Sequence, residues 1–372
     1  MFKKIITQHK ADIRTDIIRT HFSCSIAWSV VVIAVLIGIA SSIVHELVVF
    51  DASAHDIQNS VVGSHVFYTK VLAGLVLMLL IYLIDYTTIA KYSKIIAICL
   101  FALLIMEQLG FTMNGVRYFG IGHVGVMTAS IVVLYVPLFG AILYKYKGGG
   151  WLSIIASALW MIIPVFFVTG FLSSEVKLVM MYSMALQLSI AVYKGWFKVP
   201  RIRTIISLWA MITVIPFAIL ALAYKAGYID EYYMIRIRAF LFMDSDYAYT
   251  TKMVRSFNVV ELFGGSGKEI LGYLPNPNGD YLFLYIANKY GLIAAQAMVV
   301  AVLVIIIMGF MASMKSKNQL GLVIGAGCMN VLLLNLVVNC LENAGIMPAS
   351  YTYLPFSLPK QGISWWHMLF LE

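Results

Sequence analysis

Apolar residues along the chain gather in long runs cut by charged or turn residues, at about 24–44, 66–84, 95–113, 124–144, 151–170, 177–193, 204–224, 281–312 and 319–340. A helix needs about 20 mainly apolar residues to cross the hydrocarbon of a bilayer, so the pattern predicts nine full transmembrane helices. A tenth run, Gly362 to Glu372, spans about half a bilayer and is expected to enter the membrane without crossing it. Residues 1–23 are polar and helix-compatible, a longer lead than a cleaved signal peptide carries, and predict a cytoplasmic amphipathic lead. Residues 24–372 then form one all-α, polytopic transmembrane domain.

Composition narrows the function. The 372 residues are 62% hydrophobic and 12% charged, against about 45–50% apolar and 25% charged in soluble domains. That balance argues against a cytosolic enzyme, a secreted scaffold or a nucleic-acid binder. The net charge of +9 matters less than its distribution. With the N-terminus inside, the inner segments hold Lys3, Lys4, Lys10, Arg14, Arg19, Lys91, Lys94, Lys145, Lys147, Lys194, Lys198, Arg201, Arg203, Lys315 and Lys317. The short outer loops and span ends hold Lys70, Arg117, Lys177 and Lys360, the asymmetry expected of a cytoplasmic N-terminus. Cys24, Cys99, Cys328 and Cys340 lie in or beside apolar runs without metal-ligand or redox spacing, and read as small buried hydrophobes.

One connection is long. Residues 225–280, between the seventh and eighth runs and outside by the charge count, exceed a plain loop and are where chemistry is expected. They carry Arg236, Arg238, Lys252, Arg255 and Lys268 among several carboxylates, and end in Pro275-Asn276-Pro277-Asn278-Gly279 before Asp280. That run favours a helix starting at Asp280, whose carboxylate suits either of two roles. It can cap free amides at the helix start, or act as a general base at the rim of a cavity. Gly264-Gly265-Ser266-Gly267-Lys268 lacks the spacing and hydroxyl of a nucleotide-phosphate loop. It reads as a flexible turn, or as a cradle for a lipid pyrophosphate.

Charges inside the predicted spans are costly. Lys289, about two turns into the eighth run, and Glu107, near the end of the third, should face a cavity, snorkel, or pair with each other. Asn335, Asn339 and Glu342 share one helical face and predict helix-to-helix hydrogen bonding.

Several segments, taken in order, resemble the RodA/FtsW/SpoVE (SEDS) family of peptidoglycan glycosyltransferases. Asn114-Gly115-Val116-Arg117-Tyr118 and Gly122 resemble its Gly-x-x-Arg-Trp segment; Arg238-Ala239-Phe240-Leu241 with Asp244 and Asp246 resembles the start of its large outer loop. Phe263 to Lys268, Tyr273-Leu274-Pro275, Gly279-Asp280-Tyr281-Leu282-Phe283 and Gly291 are similar in spacing to the end of that loop. Gly345 to Phe356 resembles the loop before the last span. The resemblance covers roughly residues 70–364.

It implies a protein of the bacterial cytoplasmic membrane that polymerises cell-wall glycan from lipid II at the outer face, in cell shape, division or sporulation. Asp280 falls on the family's essential aspartate. Arg117, Arg238, Lys252, Arg255, Lys268 and Lys289 are the candidate substrate-binding cations. A divalent cation, Mg or Mn, is a candidate cofactor against the leaving pyrophosphate, with no metal ligands assigned. Partners would be lipid II, undecaprenyl pyrophosphate and a class B penicillin-binding protein. The chain also departs from the pattern: Met127-Thr128-Ala129-Ser130 replaces Gln-Pro-Ser-Glu, and Asn288 and Lys289 replace paired glutamates. The departures mark a divergent paralogue and keep open a transpeptidase-recruiting scaffold of weak activity, or a related lipid-linked sugar ligase or polymerase.

Overall fold

The computed structural model describes residues 86–108, 111–113, 116–121, 124–167, 174–225, 249–257, 261–264, 281–316 and 318–347. The lead at 1–23, the first two predicted spans and the tenth segment lie outside the described residues. Nine helices carry the described fold: α1 (Tyr86–Gln108), α2 (Thr128–Lys145), α3 (Gly150–Phe167), α4 (Ser174–Tyr193), α5 (Arg201–Lys225), α6 (Tyr249–Phe257), α7 (Leu282–Tyr290), α8 (Leu292–Met314) and α9 (Gln319–Asn343). By length and composition the windows Thr88–Ile105, Leu292–Met314 and Gln319–Asn343 suffice to cross a membrane, while α2, α3 and α4 contain shorter apolar stretches.

Three features differ from the pattern reading. First, α1 starts and ends earlier than the third apolar run, and a three-stranded antiparallel sheet follows it: β1 (Phe111–Met113), β2 (Val116–Ile121) and β3 (Val124–Met127). Residues at both ends of that stretch had been assigned to spans. Short segments rich in aromatic and β-branched residues, punctuated by Asn114-Gly115 and by Gly122, favour hairpins over helix. Second, the eighth run is two helices, α7 and α8, broken at Gly291. As one helix its 32 residues would be about 48 Å long, well beyond the hydrocarbon thickness. Third, the long connection at 225–280 contains α6.

The core sits where α2, α4 and α9 converge. Tyr135, Phe139 and Ile142 of α2, Met180, Met184 and Leu188 of α4, and Val323 and Leu332 of α9 are buried together. Small residues bring these backbones close, as expected where lipid makes apolar burial a weak drive for helix association. A methyl group added at Gly140 would sit 3.1 Å from the Val323 carbonyl oxygen, and one at Gly327 would overlap the Gln187 amide. Gln187 itself donates through Nε2 to the Val323 carbonyl at 3.1 Å, tying α4 to α9. The outward faces of α1, α3, α5 and α8 are apolar and exposed, with Ile95, Leu152, Ile206 and Val300 among them, as a lipid-facing rim requires. Of the cysteines, Cys99 is exposed and Cys328 and Cys340 are half-buried. The exposed Cys99 corrects the buried reading for that residue, because an apolar side chain here need not leave lipid.

Candidate functional site

Helix α7 begins two residues after Asp280, and its short length is set by what holds its two ends. The N-cap position is Tyr281, with no side-chain cap. This corrects the expectation that the helix starts on Asp280. The amide of Leu284 is satisfied from another helix, donating to Asn343 Oδ1 at 3.1 Å. Asn343 is fixed in turn by donating Nδ2 to the Asn339 carbonyl at 2.9 Å. A helix start leaves its first amides without intrahelical partners. Here α9 supplies the acceptor that a capping Asp, Ser or Thr commonly supplies.

The other end closes on Gly291. With φ +96° and ψ 161° it leaves the helical region, a conformation open to glycine and strained for L side chains. An added Cβ would meet the Leu262 carbonyl oxygen at 2.8 Å and the Phe263 Cα at 3.0 Å. The stretch Glu261–Gly264 of the long connection lies against this break, and its carbonyls take the first amides of α8. Leu292 donates to Glu261 at 3.0 Å and Ile293 to Leu262 at 3.3 Å. Irregular backbone near a membrane persists only where protein meets its polar groups, and these bonds meet them.

Helix α6 packs on α7 through Val254, Phe257, Tyr281 and Leu284, a small apolar cluster separate from the main core. Buried Asn288 donates Nδ2 to the Phe257 carbonyl at 3.1 Å, taking up an acceptor at the last residue of α6. Arg255 donates Nε to the Gly345 carbonyl at 2.9 Å, joining α6 to the turn after α9. Gly345 has φ +68°, and a Cβ there would press on Arg255 Cγ at 2.7 Å, so glycine makes that approach feasible. Asn335, Asn339, Glu342 and Asn343 are all buried along the same end of α9. Asn335 bonds back to the Val331 carbonyl of its own helix at 3.0 Å. Asn343, one residue beyond the group singled out from sequence, makes an interhelical bond to α7.

The candidate cations divide. Lys252 is exposed on α6. Arg255 is engaged with Gly345, as described. Lys289 lies in the last turn of α7, not inside a long span, with Nζ 3.3 Å from the Tyr285 hydroxyl and near the Tyr285 and Tyr290 rings. Arg117 stands on β2 opposite Thr112. Asp280, Arg238 and Lys268 lie outside the described residues. Lys252 and Arg255 on α6 and Lys289 on α7 thus sit on two helices that pack on each other, α7 bonded to the end of α9 and α6 to the turn beyond it. Among the described residues no group of three His, Cys, Asp or Glu side chains converges as a metal site.

Sequence reasoning named Asn288 but missed its bond to α6, and missed Asn343 and the pairing of Gly291 with residues 261–264. The excess length of the eighth run was a usable signal for the break. Nothing local marked residues 261–264 as its partner.

Apolar helices packed side by side, three of them long and apolar enough to cross a membrane among the described residues, define a multi-pass membrane protein. The chain belongs to the cell cycle protein family of FtsW, RodA and SpoVE, whose family model matches residues 23–358. A probable peptidoglycan glycosyltransferase FtsW from Enterococcus hirae is 34% identical over 98 residues, which are 26% of this chain and 25% of that protein. That match therefore spans a quarter of the relative's length. Among solved structures, a chain from work on coordination of polymerization and crosslinking by a peptidoglycan synthase complex aligns with TM-score 0.69 and 16% identity. The alignment covers 92% of this chain and 95% of that one. The Thermus thermophilus rod shape determining protein RodA, as an aspartate-to-alanine mutant, aligns with TM-score 0.62 and 15% identity over 92% and 95% of the two chains. These likenesses establish the fold.

Proposed function

We propose that this protein polymerises peptidoglycan glycan from lipid II at the outer face of the bacterial cytoplasmic membrane, with its N-terminus in the cytoplasm. A hydroxyl of the acceptor sugar attacks the anomeric carbon of the lipid-linked donor. The new glycosidic C–O bond forms as the bond to undecaprenyl pyrophosphate breaks. Asp280 takes the hydroxyl proton as general base. Arg117, Arg238, Lys252 and Lys268 offset charge on the departing pyrophosphate, which needs little protonation to leave. Arg255 and Lys289 act by position, one holding α6 to the end of α9 and the other lying beside two tyrosines. A class B penicillin-binding protein is the proposed partner, a reading supported by the peptidoglycan synthase complex among the structural neighbours.

The observation that supports this assignment most is at the start of α7. Asn343 meets the amide at Leu284, a position that an N-cap side chain commonly serves. The Leu284 amide thus has its acceptor in Asn343, which leaves the base role open to Asp280. The test is to incubate purified protein with lipid II and resolve the products on a gel. The native chain is expected to give polymer, and Asp280→Ala at least about 100-fold less. Polymer from the mutant at the native rate overturns the assignment.

A second reading, a scaffold of weak activity that recruits the transpeptidase, has one observation in its favour. Asn288, which stands where the family resemblance places a glutamate, is buried and occupied in binding the Phe257 carbonyl. Under that reading Asp280→Ala, expressed normally, still complements loss of the gene.

A further inference from the structure

The opposite end of the bundle carries a second chemistry. Four connections meet there: the start of α1, the α2–α3 turn, the α4–α5 turn and the α8–α9 turn. Main-chain and side-chain bonds join them. Gly148 donates to the Trp196 carbonyl at 2.7 Å, and Lys147 Nζ to Gln319 Oε1 at 2.7 Å. The stretches 86–94, 144–151, 193–204 and 312–320 contain Lys91, Lys94, Lys145, Lys147, Lys194, Lys198, Arg201, Arg203, Lys315 and Lys317, and no Asp or Glu; Asp85, one residue before the first of them, lies outside the described residues.

Within this set one group is drawn together across a long stretch of chain. Lys145 reaches from the end of α2 to donate Nζ to the Lys91 carbonyl of α1 at 2.8 Å. Lys94 holds its Nζ 4.5 Å from the centre of the Tyr146 ring. The Tyr146 hydroxyl is fixed by Trp160 Nε1 of α3 at 3.1 Å. Lys147 lies near the Tyr144 and Trp196 rings. Among the described residues none of these four lysines pairs with a carboxylate, and each keeps ammonium hydrogens beyond the contacts named. The buried Trp196 Nε1 has no acceptor among them either. Tyr92, Tyr144 and Trp151 stand exposed around the group. Aromatic side chains of this kind sit at the headgroup level of a bilayer. Like charges gathered with no carboxylate partner among the described residues repel, and a bridging anion relieves them.

We propose that Lys91, Lys94, Lys145 and Lys147 form a headgroup site for an anionic phospholipid of the adjoining leaflet. The lysines would bind the phosphate diester, and the tyrosines and Trp151 would border its glycerol and upper acyl chains. Basic recesses between transmembrane helices are suited to anionic headgroups. The site rests on the membrane-embedded reading but not on sugar transfer, and a protein inactive toward lipid II would still show it.

The test uses the full chain in detergent, titrated with phosphatidylglycerol, phosphatidylcholine or inorganic phosphate. Native mass spectrometry and thermal unfolding are the readouts. Phosphatidylglycerol is expected to remain bound and raise the unfolding temperature, and the other two probes are not. Lys91→Gln/Lys94→Gln/Lys145→Gln is expected to weaken that binding about tenfold or more. The corresponding Lys→Arg triple variant should retain it. Lys194→Gln/Lys198→Gln/Arg203→Gln removes as much charge next door and should change binding less than threefold, about. Equal loss in both Gln variants overturns the site in favour of general surface charge. Stabilisation by phosphatidylcholine to the same extent overturns it as well. Inorganic phosphate that displaces the lipid and stabilises equally makes it a free-anion site and overturns the lipid assignment. If the Gln triple variant fails to fold, Lys94→Gln alone decides, with a loss of about threefold expected and no loss overturning the proposal.

Discussion

Helix α9 takes part in two regions built on opposite rules. Toward its first turns it meets α2 and α4 through Val323 and Gly327, in a junction closed by small residues and one amide from Gln187. Toward its end it carries Asn335, Asn339, Glu342 and Asn343. There it holds α7 through Asn343, and the turn beyond it holds α6 through Gly345. The first region needs fit. The second needs every polar group met, because short helices and turns expose amides and carbonyls that long helices satisfy internally. The contrast suggests where change can be absorbed: the junction tolerates no added volume, and the second region tolerates no lost partner.

Substitutions can separate the two. Gly327→Leu should have the largest effect, about 4 kcal/mol, because the new side chain must evict Gln187 from between three helices and cost α9 its bond. Its readout is loss of the folded protein in a detergent thermal-unfolding series; an unchanged midpoint would show that the junction can repack. Gly291→Ala should cost about 3 kcal/mol through backbone strain and contact with residues 262–264. That damage should stay local. Hydrogen exchange should rise in 261–264 and at the start of α8 while α2 and α4 stay protected, and polymer formation should fall. Uniform exchange across the chain would mean that the regions unfold as one. Asn343→Leu leaves the buried Leu284 amide without its acceptor and should cost about 2 kcal/mol, with faster exchange in the first turn of α7. Lys252→Ala, on an exposed surface, should change stability by less than about 0.5 kcal/mol and serves as the control against which the others are measured.

The first region was largely legible in the sequence. Long apolar runs announce helices directly, and α2, α3, α4, α5 and α9 begin and end within a few residues of the predicted runs. The second was less so, for a physical reason. Gly291 and Tyr281 mark helix ends whose partners, Leu262 and Asn343, lie elsewhere in the chain, and local periodicity carries no record of such pairings. Strands β1 to β3 escaped for a related reason, since short apolar segments read alike in strands and in the ends of buried helices. The sequence also pointed to Asn339 and Glu342 as a polar face. It did not mark Asn343, the next residue, as one that reaches α7.

The attachment of residues 261–264 to α8 is made by main-chain atoms, while the side chains of Leu262 and Phe263 point mostly to the surroundings, at 63% and 75% exposure. Side-chain exchange at those two positions should therefore leave the seam standing. Inserting or deleting a single residue within 261–264 would throw the carbonyls out of step with α8, so the seam depends on spacing there and not on those two side chains.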